Sequence, residues 1–528
     1  MISHHIFKVL DLVDIQTILN GAQKGVSTSV SCKACTTLIG VIFSKWIPIT
    51  IIANIITQIC TLIYAKYVCE GYLNLFKAPL DEVRHKTRLT ASEICAILLG
   101  NQCLAGEASN NVILHLTDIH LDTDYVPLTD PNCGAPYCCR HNNNNKVENQ
   151  SQVNDKYAGL WGSYHCDGPK KLMDNLFASI DWQSIDWIYW TGDVTPHNTW
   201  EDTRDGTIRN SQIIIDYLKM FTNKTVISVF GNHISVPVGT FSPKKITGKL
   251  STTYLYEEMT KQWSQWLPTE ALSTFLIGGY YTMIIKPGFK IIVLNTNYCS
   301  RLNIWTYYDP IDPDNQLNWL YNELELAETA GQLVHIVGHI PPDNRECTQS
   351  WLYNYMAIVE RFSDTIVGQF FGHTHYDEFR IYYSNNDCNK VIGFAILSPS
   401  VTSFDALLNL NPAYRIIKCY ENGVIQDIDT YAMDLRRANS EPDRTPDWPF
   451  EYSMANDYSM RFTNRDFDRH IENIKRDNYY LQLFYSRYTR FSINENQYCN
   501  TDCKTKIISD IMTCNAFTNY PKPITSVG

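Results

Sequence analysis

The chain has no run of lysine or arginine, and 55 acidic against 44 basic residues leave it a formal charge of −11. Such a surface does not draw in nucleic acid or acidic lipid through its overall field, so no nucleic-acid partner is expected. No secretory leader is visible either. Met1 to Asn20 lacks a basic start followed by an apolar core, and Asp11 and Asp14 interrupt it. Structural zinc needs Cys/His quartets at short spacing, and only Cys32-x-x-Cys35 hints at one. An unbroken membrane-length apolar run is absent too. The apolar stretch from Leu38 to Val68 is interrupted by Lys45, Pro48, Asn54 and Gln58. Pro48 would break a single helix. The stretch therefore reads as two packed helices or one kinked helix, and no transmembrane span is expected.

Cysteine, by contrast, is plentiful. Seventeen cysteines fall in clusters: Cys32, Cys35, Cys60, Cys69, Cys95 and Cys103; then Cys133, Cys138, Cys139 and Cys166; then Cys299 and Cys347; then Cys388 and Cys419; then Cys499, Cys503 and Cys514. This grouping reads as a disulfide framework in an oxidising compartment. An oxidising compartment and a missing leader are reconciled by an incomplete N-terminus. Asn149-Gln-Ser and Asn223-Lys-Thr match glycosylation acceptors. The 528 residues suffice for two or three domains, and 44% hydrophobic with 19% charged residues is ordinary for a folded globular protein.

From Val112 onward, apolar runs each end in polar residues. They are Val112-Ile-Leu-His-Leu-Thr-Asp-Ile-His, Trp187-Ile-Tyr-Trp-Thr-Gly-Asp-Val, Val226-Ile-Ser-Val-Phe-Gly-Asn-His, Lys290-Ile-Ile-Val-Leu-Asn, Leu333-Val-His-Ile-Val-Gly-His-Ile and Gln369-Phe-Phe-Gly-His-Thr-His. Helical stretches such as Lys170 to Ile180 and Gln316 to Ala330 lie between them. Strand and helix in alternation predict an α/β domain with its active groups at the strands' carboxyl ends. The pattern weakens after residue 430, and residues 455–490 carry helical spacing. The division reads as an unassigned lead (1–28), a unit at 29–106, a linker (107–111), an α/β domain (112–430) and a helical C-terminal region (431–528).

The run ends supply metal-binding side chains: Asp118 and His120, Asp193, Asn232, His339, and His373 with His375. In an extended Asp-Ile-His the carboxylate and the imidazole share one face. Every group but the first follows a glycine, which lets the backbone turn tightly and approach an ion. Seven ligands of mixed oxygen and nitrogen type suit two borderline metals such as zinc, manganese or iron, with one carboxylate bridging. Two metals about 3.5–4 Å apart stabilise the attacking and leaving oxygens of an in-line displacement at phosphorus.

The order D-x-H, G-D, G-N-H, G-H, G-H-x-H resembles the calcineurin-like metallophosphoesterases. The resemblance implies a four-layer αββα sandwich. It places Asp118, His120, Asp193 and His375 on one metal and Asp193, Asn232, His339 and His373 on the other. The chain is more similar still to the acid sphingomyelinase family. Leu-Thr-Asp-Ile-His, Asp-Pro-Asn-Cys-Gly-Ala-Pro-Tyr-Cys-Cys, Tyr-Trp-Thr-Gly-Asp-Val, Gly-Asn-His, Val-Gly-His-Ile-Pro-Pro and Phe-Phe-Gly-His-Thr-His-Tyr-Asp-Glu-Phe carry that likeness. The six cysteines between Cys32 and Cys103 resemble those of a saposin B-type domain, an all-α bundle that binds lipid. That implies the pairs Cys32–Cys103, Cys35–Cys95 and Cys60–Cys69.

The family implies two Zn2+ per chain and hydrolysis of sphingomyelin to ceramide and phosphocholine by a metal-bridging hydroxide. It implies a monomer that meets a membrane lipid surface through the saposin-like unit and is lysosomal or secreted. His233 would contact the phosphate. His197, in Gly-Asp-Val-Thr-Pro-His-Asn, would bind substrate and act as general acid toward the departing alkoxide. The competing reading of each is a histidine that packs a loop. Further disulfides implied by the family are Cys133–Cys138, Cys139–Cys166, Cys299–Cys347 and Cys499–Cys503. Cys388 and Cys419 flank two adjacent predicted strands and are expected to pair, which leaves Cys514 over.

Three departures from the family bear on the cleft. Ile234 stands where related enzymes often carry an acid, Leu302 stands where a glutamate is usual, and the segment from Ser403 to Pro412 is longer. A Pro-rich linker after the saposin-like unit is absent. Hydrolysis of nucleotides or other small phosphoesters is the alternative activity, and the N-terminal unit argues against it. Purple acid phosphatases carry a tyrosine three residues after the G-D aspartate, where this chain has Pro196. A lipid carrier without catalysis would need a broken ligand set, and no ligand is missing.

Overall fold

In the computed structural model, helix α1 (Ile49–Cys60) starts immediately after Pro48, whose carbonyl accepts from the Ile51 and Ile52 amides. Proline is well placed there, because it breaks a preceding helix without costing the next one a hydrogen bond. The structure describes residues 38–39, 42–43, 48–61, 65–87, 94, 111–141, 157–405, 408–492 and 498–514. The chain divides into two compact units, Met1–Ala108 and Ser109–Gly528.

In the first unit, α1 and α2 (Lys66–Lys86) are joined by the disulfide Cys60–Cys69. Ile52, Ala53 and Ile55 of α1 are buried, whereas Tyr67, Tyr72, Leu75 and Phe76 of α2 are exposed. The expected pairs Cys32–Cys103 and Cys35–Cys95 lie outside the described residues. Among the described residues no helix is long and apolar enough to cross a membrane.

The second unit is built on two sheets. Six strands form the first, in the order β14 (Phe450–Ser453), β13 (Ile425–Ala432), β12 (Ala413–Cys419), β1 (Asn111–Leu116), β4 (Trp187–Trp190) and β5 (Thr225–Ser228). The second has the order β15 (Met512–Thr513), β10 (Glu378–Ser384), β11 (Asp387–Leu397), β9 (Ile366–Phe371), β8 (Leu333–Val337), β7 (Phe289–Val293) and β6 (Tyr281–Lys286). A short ribbon pairs β2 (Leu121–Asp122) with β3 (Gly168–Pro169). Within the first sheet β1, β4 and β5 run parallel, and within the second β7, β8 and β9 do. Parallel neighbours bring their carboxyl ends to the same edge, which gathers the strand-end motifs.

The sheets face one another. The Tyr189 hydroxyl of β4 meets His335 Nδ1 of β8 at 2.7 Å, and His115 of β1 meets Phe370 of β9 edge-on. Burial lowers both His115 and His335 to about 3, so these two histidines are neutral core residues. Alternate residues of β8, Val334 and Ile336, point outward. They pack in one core with Leu317, Leu320 and Leu324 of α6 (Gln316–Thr329) and Leu352 and Tyr355 of α7 (Gln349–Arg361). On the far side of the first sheet, Ile188 and Trp190 share a core with α3 (Lys170–Ser179), α4 (Arg204–Phe221) and α5 (Thr253–Gln262). There Trp190 meets Trp263, the residue that ends α5, at 6.1 Å. Helices therefore flank both sheets.

Residues after 430 contribute to both sheets. They supply β14 to the first and β15 to the second, together with α8 (Asn464–Arg476), α9 (Asn478–Tyr488) and α10 (Thr501–Ile511). Thr463 and Asp466 form a reciprocal capping box that starts α8. Disulfides join Cys133–Cys138, Cys139–Cys166, Cys299–Cys347 and Cys499–Cys503. The expected Cys388–Cys419 bond is not formed. Cys388 pairs with Cys514, and Cys419 is a buried free thiol. The reason lies in the topology. Consecutive strands β11 and β12 belong to different sheets, whereas Cys514 follows β15, which pairs with β10, the hairpin partner of β11.

Candidate metal centre

Five strand ends converge on one cluster. Asp118 and His120 follow β1, Asp193 follows β4, Asn232 and His233 follow β5, His339 follows β8, and His373 and His375 follow β9. Asp118, His120 and His339 are fully buried, and Asp193 is nearly so. The backbone is not extended at these points. Asp118, His120, Asp193, His373 and His375 have φ values of +48°, +41°, +54°, +75° and +67°. L-residues rarely adopt this left-handed region, and a cluster of such residues marks a site where the fold holds backbone strain. Strand alternation therefore does not bring Asp118 and His120 together as the sequence predicted. Two left-handed residues on either side of Ile119 do.

The flanking glycines serve close approach. A Cβ on Gly231 would lie 2.0 Å from Asp193 Oδ1, and one on Gly372 would lie 2.6 Å from Asp118 Oδ2. The chains of β4 and β5, and of β1 and β9, can touch at these points only without a side chain.

Hydrogen bonds fix how several of the candidate ligands present themselves. Thr117 Oγ1 and the His373 amide donate to Asp118 Oδ2, at 2.6 and 2.9 Å, which leaves Oδ1 buried without a partner. His120 Nδ1 lies 2.6 Å from the Thr195 carbonyl, His339 Nδ1 2.7 Å from the Thr191 carbonyl, and His375 Nδ1 3.1 Å from the Phe404 carbonyl. A ring that donates through Nδ1 presents a lone pair at Nε2, the tautomer a metal requires. His120 Nε2 is likewise buried without a partner.

These atoms face one another at the spacing of ligands around an ion. Asp118 Oδ1 lies 3.9 Å from His120 Nε2 and 3.6 Å from His375 Nε2, and His120 Nε2 lies 3.7 Å from Asp193 Oδ2. Such distances are too long for hydrogen bonds. Ligands about 2.1 Å from a shared tetrahedral ion sit about 3.4 Å apart. A second group surrounds His339 Nε2, which is 3.1 Å from Asp193 Oδ2 and 2.9 Å from Asn232 Oδ1. Asp193, His339 and His373 are near enough to hold one ion together. Asp193 Oδ2 lies on the border of both groups. The donor set and its orphaned atoms fit a binuclear metal site.

Charge follows the same layout. Burial works against ionising Asp193, but His339 and His233 beside it outweigh this and hold the carboxyl well below its usual range. Burial also disfavours charging His339, yet Asp193 lifts it to about 9. Burial lowers His233 to about 4.

His197 and His233 lie over the cluster, with ring centroids 4.1 and 4.7 Å from His120. By proximity alone either could touch an ion, since each falls in a group with His120 that could hold one. His197 has another attachment, one that sequence reasoning missed. Its Nδ1 donates to Asp167 at 2.9 Å, and its amide donates to the same carboxylate at 2.8 Å. Tyr137 at 2.9 Å and Thr402 at 3.2 Å also donate to Asp167, which is fully buried. Burial opposes charge on His197, but Asp167 raises it above 6.5. Asp167 belongs to no motif. The one local signal was its place directly after Cys166, which forms a disulfide.

Of the departures, Ile234 is buried and Leu302 is 81% exposed. Within the segment from Ser403 to Pro412, Phe404 lines the site: its carbonyl accepts from His375 and its ring meets that of His197 at 4.9 Å. Asn223 is exposed, and Asn149 lies outside the described residues.

Residues 112–377 match the calcineurin-like phosphoesterase family. The chain is 36% identical to the sphingomyelin phosphodiesterase of Bos taurus over 82% of its own length and 73% of that protein's. With the sphingomyelin phosphodiesterase of Homo sapiens it shares 35% identity over 81% and 72%. With the acid sphingomyelinase-like phosphodiesterase 3b of Homo sapiens it shares 32% over 66% and 75%. Strand-end ligands, family match and relatives agree: this chain belongs to the sphingomyelin phosphodiesterase family of calcineurin-like phosphoesterases.

Proposed function

We propose that this protein hydrolyses sphingomyelin to ceramide and phosphocholine with two zinc ions. The observation that carries the reading is the placement of Asp193 Oδ2 between His120 and His339, at 3.7 and 3.1 Å. A carboxylate so placed could serve two ions. Asp118, His120, Asp193 and His375 would hold one of them, and Asp193, Asn232, His339 and His373 would hold the other. When bound, the ion pair supplies an activated water and stabilises charge on the phosphoryl oxygens.

The chain's own residues do the rest. His233, with its buried Nδ1 lacking a partner, binds a phosphoryl oxygen. Asp167 holds His197 through Nδ1, which leaves Nε2 to bind substrate and donate a proton to the ceramide oxygen as its bond to phosphorus breaks. An alkoxide is a poor leaving group, so this proton matters to the rate. The four-layer core is served by a saposin-like unit over residues 29–106, whose exposed Tyr67, Tyr72, Leu75 and Phe76 on α2 support approach to a lipid surface. The disulfides support work in an oxidising compartment, in lysosomes or outside the cell. Asn149 and Asn223 would be the glycosylation acceptors.

Turnover of sphingomyelin, a nucleoside triphosphate and a simple phosphodiester, compared on one zinc-loaded preparation, tests the assignment. Sphingomyelin is expected to lead. Preference for the nucleotide would replace the lipid reading with that of a nucleotide hydrolase.

A further inference from the structure

His120, His339 and His375 fix their rings by pointing Nδ1 at a backbone carbonyl. His373 is held differently. Its Nε2 lies 3.3 Å from Glu346 Oε2, so its ring is fixed through the other nitrogen and by a charged group. We propose that Glu346 is the positioning residue of His373, turning Nδ1 of that ring toward Asp193 and His339 and strengthening it as a zinc ligand. The inference rests on the reading that His373 holds one of the two ions.

Glu346 is itself held firmly. Its amide donates to Asp343 Oδ1 at 2.9 Å, its carbonyl accepts from the Arg301 amide at 3.0 Å, and the next residue, Cys347, is tied to Cys299. Its two carboxylate oxygens are divided. Oε1 receives Arg345 Nε at 2.9 Å, and Oε2 faces His373. Arg345 in turn contacts Asp510 of α10 at 3.1 Å. The line Asp510–Arg345–Glu346–His373 thus runs from the C-terminal helix into the metal cluster. A carboxylate behind an imidazole ligand fixes its tautomer and raises its basicity, and losing one costs about 10–100-fold in metal affinity. The effect is expected at a single ion, because His373 is the proposed ligand that Glu346 faces.

Zinc affinity of the full chain, measured by competition with a chelator, tests this without reference to turnover. Wild type is expected to take two ions. Glu346→Gln, which keeps the shape but removes the charge, should bind one ion about tenfold more weakly and the other as wild type does. Glu346→Ala should lose more at the same ion, and Glu346→Gln, which can still pair with both neighbours, should keep the thermal midpoint of the metal-free protein. Wild-type affinity for both ions in both variants would overturn the proposal. So would an equal loss at both ions with a lowered metal-free midpoint, which would make Glu346 a structural residue of its loop. A wild type that binds fewer than two ions would overturn the underlying ligand assignment instead, and this inference with it.

Discussion

Replacing Gly231 by alanine puts a methyl group where Asp193 now sits. Its Cβ would lie 2.0 Å from Asp193 Oδ1, 2.3 Å from the Asp193 amide nitrogen and 2.8 Å from Cγ. Contacts under 3.0 Å are essentially never seen, so about 1 Å must be gained by moving one strand end from the other. Asp193 cannot yield cheaply. Its Oδ1 accepts from the His233 amide at 2.9 Å, and its carbonyl accepts from the amides of Ile119 and His120 at 2.8 and 3.2 Å. Moving it disturbs both proposed metal positions. Overpacking of this kind costs roughly 1–3 kcal/mol of stability. A displacement of about 1 Å at a reacting centre costs on the order of 10²-fold in rate. Gly231→Ala should therefore lower sphingomyelin turnover about a hundredfold and reduce bound zinc below two per chain. Gly288→Ala is the control. Gly288 has φ +82° with open space around its Cβ position, so alanine strains only the backbone, by about 1 kcal/mol. That variant should keep its metals and its rate. If Gly231→Ala keeps two zinc ions and near wild-type turnover, the close approach of β4 and β5 does not position Asp193, and the argument fails.

His197→Ala should lose about 10²–10⁴-fold in turnover and keep both ions, and loss of zinc on metal analysis would make His197 a ligand instead. Asp167→Asn should move in the same direction by a smaller factor with zinc unchanged, because it weakens only the hold on His197; a wild-type rate would remove Asp167 from the site. Peptide mapping under non-reducing conditions should link Cys388 to Cys514 and find Cys419 alkylated only after unfolding, and a Cys388–Cys419 peptide would contradict the sheet assignment. Arg415 is buried against Asp377 and also bonds the Leu397 carbonyl at 2.8 Å, so Arg415→Met should destabilise the fold by roughly 3–5 kcal/mol in denaturant titration. A loss under about 1 kcal/mol would mean that Asp377 is not left as an uncompensated charge.

Much of the site was legible because its residues are read from short motifs at strand ends. Gly-Asp, Gly-Asn-His and Gly-His-x-His each name a ligand and the backbone freedom it needs. The helices from Lys170 and Gln316 were equally plain from spacing. What stayed hidden depends on contacts far apart in sequence. Asp167 is thirty residues from His197 and directly precedes β3, whose pairing with β2 brings it back to the chain that follows β1. The left-handed backbone at Asp118 and His120 comes from bonds to the chain after β4, since the Asp118, Ile119 and His120 amides all donate to Gly192 or Asp193 carbonyls. The mispaired Cys388 shows the same limit. As neighbours in sequence, the strands that carry Cys388 and Cys419 were expected to pair them, while β11 and β12 lie in different sheets.

The most direct measurement is anomalous diffraction at the zinc edge from crystals of the zinc-loaded protein. Two peaks about 3.5–4 Å apart, on either side of the Asp193 carboxylate, are predicted, one near His120 and His375 and the other near His339 and His373. A single peak, or a pair that does not share Asp193, would contradict the account.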